Sequence, residues 1–445
     1  MMPNNARRLV ALRSAVAANR QPSRRRRLER RCLSTSSSIA TDTLIIGGGP
    51  IGCSAAYHLA RSRGEDGTNV VVVERDPTYQ SANQSASRSA GGIRQQFSLT
   101  SNIAMSLYGR DFLRNADELL RTKDGKNYDV QFKEHGYLFL ASTSSGREQL
   151  IKNHATQIEA GCEDIKLLDR DELRYKFDPW MNTDDITLGS YGQQGEGWFD
   201  PHALIMGLKA KAIEMGVTFI HGEPVSAKRD ESSGNILSVD VRDAKNGVLT
   251  HNVNHVVNAA GAQAEGVMNL LAGGVLAYPL PVKPRKRCIF FFHCASKEGV
   301  PPVAPLTVDP SNVYFRSDGS GENATFLCGV SPEHNQDPDV YNLDALDNAD
   351  DHLFEDIIWP ALFHRVPAFG DIKVRSSWAG LYEYNIIDQN GIIDFHPEMA
   401  NVLVSAYKSH NGRQRVDLLG FLLSHFCLQY FIVSLCITRI FICRC

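Results

Sequence analysis

The run Thr43-Leu44-Ile45-Ile46 is apolar apart from its first residue, as in a short strand buried on both faces. It gives way to Gly47-Gly48-Gly49-Pro50-Ile51-Gly52 and then to Ala55, Ala56, Leu59 and Ala60 at helical spacing. Asn69 to Val73 predicts the next strand, with Glu74 at its end. After a mixed region to Gly197, Asp200-Pro201 supplies an N-cap and a first-turn proline for a helix running to about Met215 and closed by Gly216. Short strands at 217–220, 224–228, 236–241 and 248–252, separated by turns such as Ser233-Gly234-Asn235 and Asn246-Gly247, predict a small antiparallel meander. The chain then returns to a buried strand at 255–258. From Pro279 to Leu327 it is strand-rich, with strands expected at 287–293 and 313–316. Asp350 to Phe363 predicts a helix kinked near Pro360. The Asp/Asn-rich stretch from Glu333 to Asp351 predicts a solvated loop.

Strand, glycine turn, helix, strand and acid stand in the order a dinucleotide-binding unit requires. The glycines let the backbone approach a pyrophosphate, whose charge meets unpaired N–H groups at the helix start. Glu74 is placed to accept hydrogen bonds from an adenosine ribose. The alternative is a glycine-rich turn of any α/β protein, and the full strand-helix-strand context weighs against it. The small residues Ala259-Ala260-Gly261-Ala262 after the 255–258 strand allow a second close backbone approach. Coming after one nucleotide unit and a meander, this favours FAD. A separate nicotinamide domain needs a second Gly-x-Gly-x-x-Gly, which the sequence lacks.

The 445 residues suit two or three domains, and 43% hydrophobic with 22% charged residues is an ordinary globular composition. The formal charge of -3 hides an asymmetry: residues 1–33 carry ten arginines and one acid, leaving 37 basic against 49 acidic residues in the rest. An acidic body repels phosphate backbones, so no nucleic-acid partner is expected. The Arg-, Ala- and Ser-rich, acid-poor segment 1–40 predicts a mitochondrial presequence, with cleavage after Leu33. A disordered basic tail, or a nuclear signal at Arg24 to Arg27, is the alternative. Five of the ten cysteines, Cys53, Cys162, Cys288, Cys294 and Cys328, lie in the body without Cys-x-x-Cys or zinc spacing, which predicts reduced, buried thiols and no metal site.

Several segments together resemble the D-amino acid oxidase and sarcosine oxidase superfamily of FAD-dependent oxidases, over residues 41–406. They are Gly47 to Gly52, Glu74, Ser89-Ala90-Gly91-Gly92-Ile93-Arg94, Gly136-Tyr137-Leu138, Gly197-Trp198-Phe199-Asp200-Pro201, Val256 to Gly261, and Trp378-Ala379-Gly380-Leu381-Tyr382 with Asp388-Gln389-Asn390-Gly391. Pro284-Arg285-Lys286-Arg287, Cys328 to Pro332 and Arg365 to Phe369 look most like a mitochondrial branch of that superfamily. The resemblance implies an α/β (α+β) fold: a doubly wound, Rossmann-like FAD-binding domain (41–95, 197–275 and 375–406) interleaved with an antiparallel-sheet substrate domain (96–196 and 276–374). It also implies a matrix or inner-membrane location, a small amine or amino-acid-like substrate, and a link to respiratory complex I assembly.

For the cofactor, the resemblance points to Gly47, Gly49, Pro50, Ile51, Gly52, Glu74, Arg75, Ser89, Gly91, Gly92, Val225, Ala260, Gly261 and Gly391. Hydride transfer to flavin demands a cation for the substrate carboxylate, and Arg94 is the first candidate because guanidinium suits bidentate contact. A surface or flavin-pyrimidine contact is its alternative. Arg287 and Tyr382 are further catalytic candidates, with a core aromatic as the alternative for Tyr382. Relatives that attach FAD covalently use a His or a Cys at positions resembling Arg88 and Leu381, so non-covalent FAD is expected. Residues 407–445 depart from the family's glycine-rich turn and final helix. Their apolar stretch from Leu418 to Ile442 approaches the ~20 residues of a membrane span but holds His425, Gln429 and Arg439. An alternative or misassembled end with an impaired flavin site is the favoured expectation, and a membrane anchor is the other.

Overall fold

The computed structural model describes residues 38–81, 84–295, 300–318, 324–332 and 336–406. The expected cleavage site and the 407–445 stretch lie outside these. Among the described residues no helix is long and apolar enough to cross a membrane, and no group of metal-ligating side chains could hold an ion.

Val- and Ile-rich runs form the centre of a seven-stranded sheet. Ser38–Ile46 lies between Val70–Glu74 and Gly247–Asn258, parallel to both. Thr218–Arg229 extends the parallel set on one side and Met399–Ala406 on the other. Ile236–Asp243 and Ile392–His396 join it antiparallel. The first strand starts at Ser38, inside the segment expected to be presequence or disordered. Residues 38–40 are exposed but pair through their backbones with Thr250, His251 and Asn252, a contact that hydrophobic patterning does not register.

The expected meander is two long strands and one shorter one. The strands expected at 217–220 and 224–228 form one strand, Thr218–Arg229, with a bulge opposite Val241 and Asp240. The strands expected at 248–252 and 255–258 likewise form a single strand, Gly247–Asn258. On the face of the sheet, helix Pro50–Ser62 buries Ile51 to Ala60 without a break. Its small residues allow close packing on the strands beneath. Helix Pro201–Glu214 begins as predicted, the Asp200 carboxylate accepting from the His202 and Ala203 amides at 2.9 and 3.1 Å.

A second sheet of eight strands runs in the order Ile372–Asn385, Val282–Cys294, Thr325–Val330, Val313–Ser317, Leu306–Val308, Tyr137–Ala141, Leu188–Gly192, Ile165–Leu168. All its pairs are antiparallel except Leu306–Val308 with Tyr137–Ala141. Ile372–Asn385 pairs along nearly its whole length with Val282–Cys294. Residues 375–385, expected in the nucleotide-binding part, therefore belong to the second sheet, and the chain rejoins the first only at Ile392.

The 350–363 segment is helical but broken, with a π turn at Phe354–Ile358 before Trp359–Arg365, where Pro360 falls in the first turn. The acidic stretch before it is not simply solvated. Asp337 is buried and both Asp337 and Asp339 pair with arginines of Val282–Cys294. The five body cysteines are free and buried, as expected.

Candidate functional site

The two glycine-bearing turns that the sequence singles out touch each other. Gly47 has φ +100°, and a Cβ on it would lie 2.4 Å from the Ala259 carbonyl oxygen. A Cβ on Gly52 would lie 1.8 Å from the Gly47 oxygen. Neither position admits a side chain, because the obstacle is backbone in both cases. A Cβ on Gly49, by contrast, would enter open space. Gly49 also forms the N-cap of helix Pro50–Ser62, so the start of the helix faces the cleft and Gly49 places no side chain there.

Glu74 ties the turn to the strand beside it. Its Oε2 accepts from the Gly48 amide at 2.7 Å, and its Oε1 from the Asp76 amide at 2.7 Å and Gln84 Nε2 at 2.9 Å. On the other side Asn258 shapes the Ala259–Gly261 turn, donating to the Ala264 oxygen at 2.8 Å and accepting from the Ala260 amide at 3.2 Å. Between the turns lies a cleft of about 330 Å³. Its far wall is Leu381, Tyr382 and Glu383 of the second sheet. Bare backbone amides at a helix start, a carboxylate fixed at the end of the second strand and a second turn in close approach fit a dinucleotide such as FAD.

Of the expected cofactor residues, the cleft brings together Gly47, Gly49, Pro50, Ile51, Glu74, Arg75, Ala260 and Gly261, with Tyr382 opposite. Gly52 stands behind the turn as its packing contact. Val225 is not on the cleft wall, which that strand supplies through Gly222, Glu223 and Pro224. Ser89, Gly91, Gly92 and Gly391 also lie off the wall. Gly91 has φ +74°, and a Cβ there would meet the Phe199 oxygen at 2.4 Å. Gly92 pairs with Trp198 in a two-stranded ribbon.

Arg94 lies in the interior. It is 0% exposed, and its guanidinium lies over the Phe97 and Phe139 rings at 4.5 and 5.0 Å. Beside it, burial pushes the Glu196 carboxyl up to about 7, against the lowering effect of the Gln95 and Gln96 hydrogen bonds and of Arg94 itself. The residue that sequence order places after a flavin-side loop is thus core.

Arg287 is engaged by an acid. Its fork is filled by Asp337, at 2.7 and 2.8 Å, and its plane lies 4.5 Å over the Tyr382 ring. It positions Tyr382 rather than facing the cleft. One step along the strand the motif repeats, with Arg285 paired to Asp339 at 3.0 Å and lying 5.0 Å over Tyr384. Arg88, at one presumed attachment position, donates to the Ala379 and Ser81 oxygens at 3.0 and 3.3 Å.

Glu383 is the cleft residue that motif reading missed. Burial pushes its carboxyl up to about 8. An acid between two tyrosines, in Leu381-Tyr382-Glu383-Tyr384, was the available signal.

With this geometry in place, comparison with known proteins is decisive. The DAO family, described as FAD dependent oxidoreductase, matches residues 42–424. The chain belongs to this family of FAD-dependent oxidoreductases. The match continues to 424, so the family pattern extends into the 407–445 stretch expected to depart from it. FAD-dependent oxidoreductase domain-containing protein 1 of Bos taurus is 40% identical over 399 residues, covering 85% of this chain and 79% of that protein. Human mitochondrial dimethylglycine dehydrogenase is 28% identical over 239 residues, 54% of this chain and 25% of that one. In fold, L-proline dehydrogenase from P. horikoshii superposes with TM-score 0.71 at 20% identity, covering 90% and 94% of the two chains.

Proposed function

We propose that this family member oxidises a small amine or amino-acid-like substrate in mitochondria, using FAD held without a covalent bond. The observation that carries the reading is the cleft itself, which joins the glycine turns and Glu74 of one sheet to Tyr382 of the other. Bound FAD supplies the hydride acceptor. The chain's own residues would do the holding: the first free amides of helix Pro50–Ser62 would meet the pyrophosphate, Glu74 would take the ribose, and Tyr382 would close the far end. Neither Arg88 nor Leu381 has the nucleophile a covalent flavin link requires. Dimethylglycine dehydrogenase and L-proline dehydrogenase are named for amines that carry a carboxylate, which supports that substrate class. The arginine-rich, acid-poor segment 1–40 supports the compartment.

A second reading, a flavin-stabilised assembly factor for respiratory complex I, is favoured by one observation. Arg94 and Arg287, the two arginines offered for a substrate carboxylate, are engaged inside the protein. Anaerobic titration of the purified holoprotein with glycine, its N-methyl derivatives and proline separates the readings. Loss of the oxidised flavin absorbance with one of these amines supports the enzyme. Bound flavin left unchanged by the whole panel would leave the assembly reading standing alone. Acid precipitation of the same protein should leave the flavin in the supernatant.

A further inference from the structure

Of the three glutamates that line the cleft, Glu74 and Glu383 do so in contrasting ways. Glu74 accepts three hydrogen bonds. Glu383 Oε2 is buried and accepts none among the described residues. That oxygen lies 3.3 Å from where a Cβ on Gly261 would stand, so the missing side chain at 261 lets it reach the floor of the cleft, against the second glycine turn.

The cations of the strand beside Glu383 are already paired with other acids. Glu383 sits opposite Pro284 on that strand. Of the cations flanking that proline, Lys283 is held by Glu265, Arg285 by Asp339, Lys286 by Asp350 and Arg287 by Asp337. Tyr382 and Tyr384, its neighbours in sequence, lie under Arg287 and Arg285. The turns facing it, Gly47 to Gly49 and Ala259 to Gln263, carry no charge. Glu74, Arg75 and Glu223 line the same cleft. The upward displacement of its carboxyl has burial as its cause.

We propose that Glu383 is a cofactor-binding residue, whose neutral carboxyl donates a hydrogen bond to an acceptor oxygen of FAD, so that FAD binding at alkaline pH takes up a proton. A carboxylate has only acceptors to offer, whereas the protonated acid has one donor. The pyrophosphate brings further negative charge into the cleft, which favours the neutral acid still more. The sign follows from linkage. Because the bound state holds the proton more tightly, affinity is full below about pH 8 and falls as the free protein's carboxyl ionises.

The inference rests on the cofactor reading and is tested without turnover. FAD is removed and its rebinding measured by calorimetry between pH 7 and 9.5, in pairs of buffers with different ionisation heats. In the native protein, affinity should fall about tenfold per pH unit once the carboxyl is ionised, with proton uptake rising from near zero toward one. Glu383→Gln keeps a neutral donor, so its affinity at pH 7 should stay within about threefold of native while both the pH dependence and the proton uptake vanish. Glu383→Leu should bind about tenfold more weakly at pH 7, also without uptake. A flat native profile with FAD bound would overturn this inference alone, as would proton uptake surviving in Glu383→Gln. Absence of FAD binding at every pH would overturn the cofactor reading with it.

Discussion

On the seven-stranded side of the cleft the working surface is backbone. Gly47, Gly49 and Gly52 strip side chains from a helix start, and Glu74 pins the turn through the Gly48 amide. On the eight-stranded side the surface is side chain, and its strongest groups are already spent on one another: Asp337 on Arg287 beneath Tyr382, Asp339 on Arg285 beneath Tyr384. The first wall is made of short segments whose signals are local, although the fold brings Gly47 against Ala259 and Gly48 onto Glu74. The second joins residues fifty positions apart, as Arg287 and Asp337 are. At Gly47 and Gly52 the backbone wall admits no added atom, while a paired side-chain wall tolerates loss of a whole pair far better than loss of half of one.

The sharpest test of that contrast is Asp337→Ala, which leaves the Arg287 guanidinium buried without its partner. It should cost about 4 kcal/mol, measured by urea unfolding of the apoprotein. The double exchange Arg287→Met with Asp337→Leu should recover most of that loss. If the single change costs no more than a surface ion pair, under about 1 kcal/mol, the two walls do not differ as described. Gly52→Ala probes the other side. Its Cβ would press on the Gly47 oxygen, so a loss of about 3 kcal/mol together with release of FAD on gel filtration is expected. Retention of both native Tm and FAD would show that the turn can give way. The smallest effect belongs to Glu74→Gln. The amide keeps one acceptor oxygen and sets an NH2 against either the Gly48 or the Asp76 amide, costing about 1.5 kcal/mol. The readout is a roughly tenfold weaker FAD dissociation constant, by the factor of ten that 1.4 kcal/mol represents.

The backbone wall was legible in the sequence because its signals are local. A glycine turn between an apolar strand and an Ala-rich helix, an acid 22 residues on and a small-residue turn after a later strand all stand where the structure uses them. The surroundings of Arg94 and Arg287 were not legible in the same way, since a guanidinium over Phe97 and Phe139, or forked onto Asp337, looks in one dimension like a free cation. Sequence patterning also split Thr218–Arg229 between 220 and 224, where Gly222 and Glu223 in fact pair with Asp243 and Arg242. Glu383 escaped notice because its environment comes from Gly261, far back in the chain.

The sequence by itself determined that the chain is an α/β protein with a dinucleotide site, and which residues make its turns, because close backbone approach demands glycine whatever surrounds it. Only the tertiary structure decided which charges remain available. Charges interact over a few ångströms of space regardless of chain separation, so Arg94 is core, Arg287 supports Tyr382, and Glu383 is a carboxyl that burial shifts within the cleft.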